Sequence, residues 1–134
     1  MRMINQDEEV EAEVTWEDQQ NINSFSKLNV KFSDIEERYG EKKQEDEYLD
    51  DLLQELEQQE LLGDEGELVR YKIGDAFISI TLEDAVQRTK REKEFLSEEL
   101  KKLRNGMDSL TTEMEKLKVL LYGKFGKAIN LEKD

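Results

Sequence analysis

Along residues 82–121 the apolar positions step by three and four: Leu82, Val86, Thr89, Lys93, Leu96, Leu100, Leu103, Met107, Leu110, Met114, Leu117 and Leu121. Only Thr89 and Lys93 interrupt this seam, and the other faces are charged. A narrow stripe of this period predicts a coiled-coil helix. A weaker copy runs through Phe25, Leu28, Phe32, Ile35, Tyr39, Lys42, Asp46, Leu49, Leu53 and Leu56, where Lys42 and Asp46 are the polar breaks. Polar seam residues cost stability but fix register. Between the arms, "LVRYKIGDAFISI" at 68–80 changes period from 3.5 to 2. Gly74-Asp75 suits a two-residue hairpin loop with glycine first. That register sets Ile73 against Ala76, Lys72 against Phe77, Tyr71 against Ile78, Arg70 against Ser79 and Val69 against Ile80. Val69, Tyr71, Ile73, Ala76, Ile78 and Ile80 then share one apolar face.

Both arms open on the same device. "TWED" at 15–18 and "TLED" at 81–84 place a threonine N-cap three residues before an aspartate, an acidic variant of the capping box. Gly63 is expected at the position following the first helix. Gly40 and Gly106 fall inside the arms and should each cost about 1 kcal/mol relative to alanine. The arms are expected within 14–62 and 81–126; at 1.5 Å per residue their helical stretches, from about 16 to 62 and from 82 to 124, are each about 65–70 Å long. A hairpin reverses the chain, so the economical fold is mainly α: one antiparallel two-helix coiled coil with a central β-hairpin (67–80). Residues 1–13 are acidic and patternless, expected to be disordered, and 127–134 read as a tail. A lone hairpin is marginal in water. Its two open edges and apolar face favour strand addition into an intersubunit β-barrel over folding back on the helix ends.

The 134 residues include 40% charged residues and no proline, cysteine or histidine. Disulfides, thiolate nucleophiles, zinc–thiolate centres and imidazole catalysis are therefore excluded. The net charge of −14 disfavours nucleic acid and anionic membranes as partners. That charge is uneven: residues 15–62 carry 14 acidic and 5 basic groups, residues 82–124 carry 9 and 10. Unequal arms favour pairing with each other. Acidic runs such as "DEYLDD" and "QEDE" lie on a solvated helix face. "DEGELVRYKIGD" is no calcium loop, because its glycine stands third and not sixth. No enzymatic chemistry, metal or cofactor is expected.

Three segments, "VTWEDQQNINSFSKL" at 14–28, "YKIGDAFIS" at 71–79 and "LYGKFGKAINL" at 121–131, together with this architecture, resemble the β-type prefoldin family. The resemblance covers essentially everything after the acidic extension. It implies a heterohexamer of two α-type and four β-type subunits, so this chain would have two α-type and three further β-type partners. The hairpins would form a double β-barrel platform, with Val69, Tyr71, Ile73, Phe77, Ile78 and Ile80 as assembly residues. It further implies ATP-independent capture of non-native proteins, notably actin and tubulin, and their delivery to the cytosolic chaperonin. Cytoplasmic residence is expected, with a nuclear presence also allowed.

Client capture needs apolar surface at the far tip. Trp16, Ile22, Phe25, Leu120, Tyr122 and Phe125 are the candidates there, with Val14, Val119, Ile129 and Leu131 nearby. Phe25 and Leu121 are better explained as the plug of the coiled coil. Trp16, Tyr122 and Phe125 read as surplus surface of the kind that marks interaction sites. The competing reading is a homodimeric structural coiled-coil adaptor whose hairpin pairs only with itself.

Overall fold

The computed structural model describes residues 2–3, 14–63, 66–126 and 129–130. Six elements follow in order: β1 (Arg2–Met3), α1 (Trp16–Leu62), β2 (Leu68–Ile73), β3 (Ala76–Thr81), α2 (Leu82–Phe125) and β4 (Ile129–Asn130). β2 and β3 pair antiparallel in the expected register, extended by Leu68 against Thr81. Gly74 makes the turn possible, since its φ of 60° lies in the left-handed region. β1 pairs antiparallel with β4, so Arg2 and Met3, within the extension expected to be disordered, form a short strand with Ile129 and Asn130 of the tail. The rest of that extension, residues 1 and 4–13, and the rest of the tail, residues 127–128 and 131–134, lie outside the described residues.

Both helices begin where the caps place them. The Thr15 N–H donates to Asp18 Oδ2 at 2.9 Å, and the Asp18 N–H donates back to Thr15 Oγ1 at 3.1 Å. This is a complete capping box with aspartate in the glutamate position; such a cap contributes about 1 kcal/mol. At α2 the Asp84 N–H donates to Thr81 Oγ1 at 3.1 Å. The Leu82 N–H donates to the Glu67 carbonyl at 2.8 Å, which closes the hairpin at its base.

Gly63 ends α1 for a different reason from the one its position implied. The left-handed glycines are Gly66, Gly74 and Gly126, and Gly63 is not among them. A Cβ on Gly63 would strike the Glu67 carboxylate and lie 2.8 Å from the Gln59 carbonyl oxygen. Close approach, and not a left-handed φ, excludes a side chain there. Around Gly40 a Cβ would meet nothing, and at Gly106 only an ordinary contact with Ile35 at 3.7 Å. Nothing in the structure explains these two glycines.

The chain forms two compact units: residues 1–38 with 103–134, and residues 39–102. In each, the start or end of α1 lies antiparallel to the opposite part of α2. In the first unit Ile22, Phe25, Leu121 and Phe125 form the core, with Met114, Leu117 and Tyr122 packed against it. In the second, Leu49, Leu96 and Leu100 form one cluster and Leu56, Tyr71, Leu82, Ala85 and Val86 another. Every expected seam position on both helices is buried or half-buried. The polar breaks answer one another within the second unit. The Lys93 ammonium lies 2.7 Å from Asp50 and 3.9 Å from Asp46, and Lys42 lies 3.0 Å from Glu99. The Glu99 carboxylate, through its hydrogen bond first and its charge second, raises the Lys42 pKa. These pairs are partly exposed and screened, so they act on helix register more than on stability.

Candidate interaction surfaces

At the tip, the capping box has a second role. The Asp18 carboxylate that caps α1 also binds the Lys124 ammonium from the last turn of α2. Lys124 in turn lies 5.4 Å over the Phe125 ring, within the range of a cation–π contact. The hydrogen bond from Lys124, followed by that from the Thr15 backbone, holds the Asp18 pKa below the usual aspartate value of 3.8. A depressed pKa adds stability above the unfolded value and forfeits it as pH falls through the folded value. The difference in melting temperature between wild type and Asp18→Asn is therefore expected to be largest at pH 5–7 and to close below about pH 4. Melts followed by circular dichroism across that range would show it; a constant difference would mean that the carboxylate charge is not engaged.

The structure separates the six tip candidates. Trp16 is 78% exposed and Leu120 61% exposed, with Val119 at 72% beside Leu120. Ile22, Phe25 and Phe125 are buried, the two phenylalanines at 1% exposure. Tyr122 is half-buried against the same core. For Phe125 and Ile22 this corrects the sequence reading, and the physical cause is visible in their spacing. Ile22 stands three residues before Phe25, and Phe125 four after Leu121, so the seam extends one step outward at each end. Asp18, four residues before Ile22, continues the same line, which is the signal that the Asp18–Lys124 pair offered and sequence reading passed over.

The hairpin divides in a similar way. Its base folds onto the second unit's own helices: Tyr71 is 5% exposed among Leu56, Leu82, Ala85 and Val86, with Val69 and Ile80 half-buried beside it. The Thr89 hydroxyl donates to the Ala85 carbonyl at 2.8 Å and pairs with the Tyr71 hydroxyl at 3.1 Å. Glu92 Oε1, 3.4 Å from the phenol, offers a further acceptor. Burial, ahead of these polar neighbours, raises the Tyr71 pKa. Thr89, which looked like a flaw in the α2 seam, is thus fully buried and bonded. Three of the six proposed assembly residues, Val69, Tyr71 and Ile80, are engaged by their own chain. Ile73, Ile78 and Phe77 remain exposed, at 41%, 38% and 56%. The Arg70 guanidinium lies 4.9 Å over the Phe77 ring on the opposite face. Sequence reading did not single out Leu61 and Leu62 at the end of α1; both are more than 85% exposed.

Among the described residues no group of three or more acidic side chains is placed to hold a metal ion. Nor, among the described residues, is any helix long and apolar enough to cross a membrane.

A model of the prefoldin subunit family matches residues 19–128. A curated relative, prefoldin subunit 4 of Saccharomyces cerevisiae, is 36% identical over 99% of this chain and 100% of its own length. Human prefoldin subunit 4 is 35% identical over 92% of this chain and 90% of its own. Among solved structures, the prefoldin β subunit of Thermococcus strain KS-1 superposes with a TM-score of 0.74, covering 86% of this chain and 97% of that one. At 15% identity that match speaks to the fold: two long helices joined by a two-stranded hairpin.

Proposed function

The chain belongs to the prefoldin subunit family, and from that premise we propose that it is one subunit of a heterohexamer that captures non-native proteins without ATP. The family is one of co-chaperones and not of enzymes. The observation that carries the proposal is the family match along almost the whole chain. Two α-type and three further β-type subunits complete the complex. The outer half of the hairpin, with Ile73, Phe77 and Ile78, joins the intersubunit barrel. The tip presents Trp16 and Leu120 to clients, including unfolded actin and tubulin, which pass on to the cytosolic chaperonin. Its place of work is the cytoplasm.

Exposure supports this division. An isolated hairpin edge with exposed Ile and Phe invites strand pairing. Exposed Trp16, Val119 and Leu120 at the tip are apolar surface that the underlying core does not use. The reading is tested by co-expression with the α-type and further β-type subunits, followed by native mass measurement and an aggregation assay with unfolded actin. A six-subunit complex is expected, and Trp16→Ala with Leu120→Ala should leave its mass unchanged while weakening suppression of aggregation. A stable homodimer indifferent to those subunits would instead establish the adaptor reading. Full holding activity in the double variant would remove the tip from client binding.

A further inference from the structure

The last turn of α1 carries the two most exposed large apolar side chains among the described residues, Leu61 at 86% and Leu62 at 89%. Neither contributes to a core cluster. Leu62 forms one wall of a groove of about 500 Å³ whose other walls are Glu55, Gln58, Gln59, Gly63 and Glu67. The missing side chain at Gly63 admits the Glu67 carboxylate against the end of the helix. That end is the negative pole of the helix dipole, where a cation is favoured and a carboxylate is not. α1 has no basic residue in its last turn, whereas α2 ends with Lys124. Glu57 and Glu60 add to the same negative field. Among the described residues, none of Glu55, Glu57, Glu60 and Glu67 has a lysine or arginine within ion-pair distance.

We propose that this end of α1 is a docking surface for a neighbouring, unlike subunit, which inserts a lysine or arginine side chain between Glu55 and Glu67 and covers Leu61 and Leu62 with apolar surface. The inference rests on the hetero-oligomeric reading above and adds which subunit surface fits here. A long cationic side chain satisfies every part of the groove. Its methylene stem lies along Leu62, and its charged head meets the two carboxylates and the Gln58 and Gln59 amides. A second copy of this chain meeting it symmetrically, α1 end to α1 end, fits badly, because it would bring the same unneutralised acids to the contact. The charge pattern thus selects against symmetric self-pairing while the leucines supply the contact area, and an acidic rim around an apolar centre chooses a basic-rimmed partner.

The test uses the full chain co-expressed with the other subunits and compares Glu55→Gln with Glu67→Gln against Ile78→Asp on the outer hairpin. The glutamine pair is expected to keep the helical signal of the wild type, to weaken incorporation into the complex about tenfold at low salt, and to flatten its salt dependence. Ile78→Asp is expected to abolish incorporation. If the glutamine pair assembles with wild-type affinity and salt response while Ile78→Asp fails, the docking surface is overturned and the hetero-oligomer stands. If Ile78→Asp also assembles normally, the hairpin-based reading itself falls. A glutamine pair that forms more homodimer and less mixed complex supports selection by repulsion. A wild-type chain that already seats a second copy at Leu61 and Leu62, seen as a cross-link between identical Leu62→Cys chains at the same yield as with unlike subunits, overturns the choice of partner.

Discussion

Phe125→Ala is expected to lower the unfolding free energy by about 3–5 kcal/mol, the range for deleting a buried phenyl ring. The ring is 1% exposed and closes the tip core with Ile22, Phe25 and Leu121. Its loss leaves a void between two helix ends and removes the surface over which the Lys124 ammonium sits. Because the site lies at the ends of both helices, the deficit should be concentrated there. Amide exchange should accelerate over residues 16–25 and 114–125 ahead of the hairpin half. Urea unfolding followed by circular dichroism measures the total. Trp16→Ala is the control, since removing a largely exposed side chain should change stability by no more than about 0.5 kcal/mol. Equal stabilities for the two variants would mean that the Phe125 ring is not in the core. This contrast also governs functional tests: a loss of client holding in Phe125→Ala would mix damage to the core with damage to the surface.

Tyr71→Ala is expected to be comparably severe at the other unit, again about 3–5 kcal/mol by analogy with phenylalanine truncation. The ring anchors the hairpin base on Leu56, Leu82, Ala85 and Val86, and its hydroxyl is bonded to Thr89. Tyr71→Phe separates the two contributions. It keeps the packing and removes one hydroxyl, for an expected cost of about 1 kcal/mol. In the alanine variant the hairpin should come away from the helices, so limited proteolysis should cut within residues 68–81, where wild type and Tyr71→Phe resist. Resistance in the alanine variant would show that strand pairing alone holds the hairpin. The same comparison bears on assembly, because the outer residues Ile73, Phe77 and Ile78 are aimed by a base that Tyr71 fixes.

Much of this molecule follows from short-range pattern. The seam from Leu82 to Leu121 is local geometry: a helix places residues three and four apart on one face, whatever lies opposite. The hairpin register from Ile73–Ala76 to Val69–Ile80 follows from a two-residue turn that only glycine enters easily. The caps at Thr15 and Thr81 reach three residues and no further. The polar breaks Lys93 and Asp46 were visible in the two seams, but not that they lie near one another, with Asp50 nearer still to Lys93.

Sequence alone could not divide apolar residues that share a neighbourhood. Phe125 and Trp16 are both aromatic residues close to a helix end, yet one is core and the other surface. Which one turns inward depends on where the opposite helix passes, and the Asp18–Lys124 pair ties residues more than a hundred positions apart. Tyr71 looked free to join neighbouring subunits because nothing nearby in the chain covers it. Its cover, Val86 and Thr89, comes from the helix after the turn. The sequence by itself therefore determined the helices, the turn, the strand register and the family. Tertiary structure alone decided which apolar groups the chain keeps for itself and which it leaves for others. Periodicity is set by backbone geometry within a few residues, whereas burial depends on surfaces that meet only after the chain has folded back.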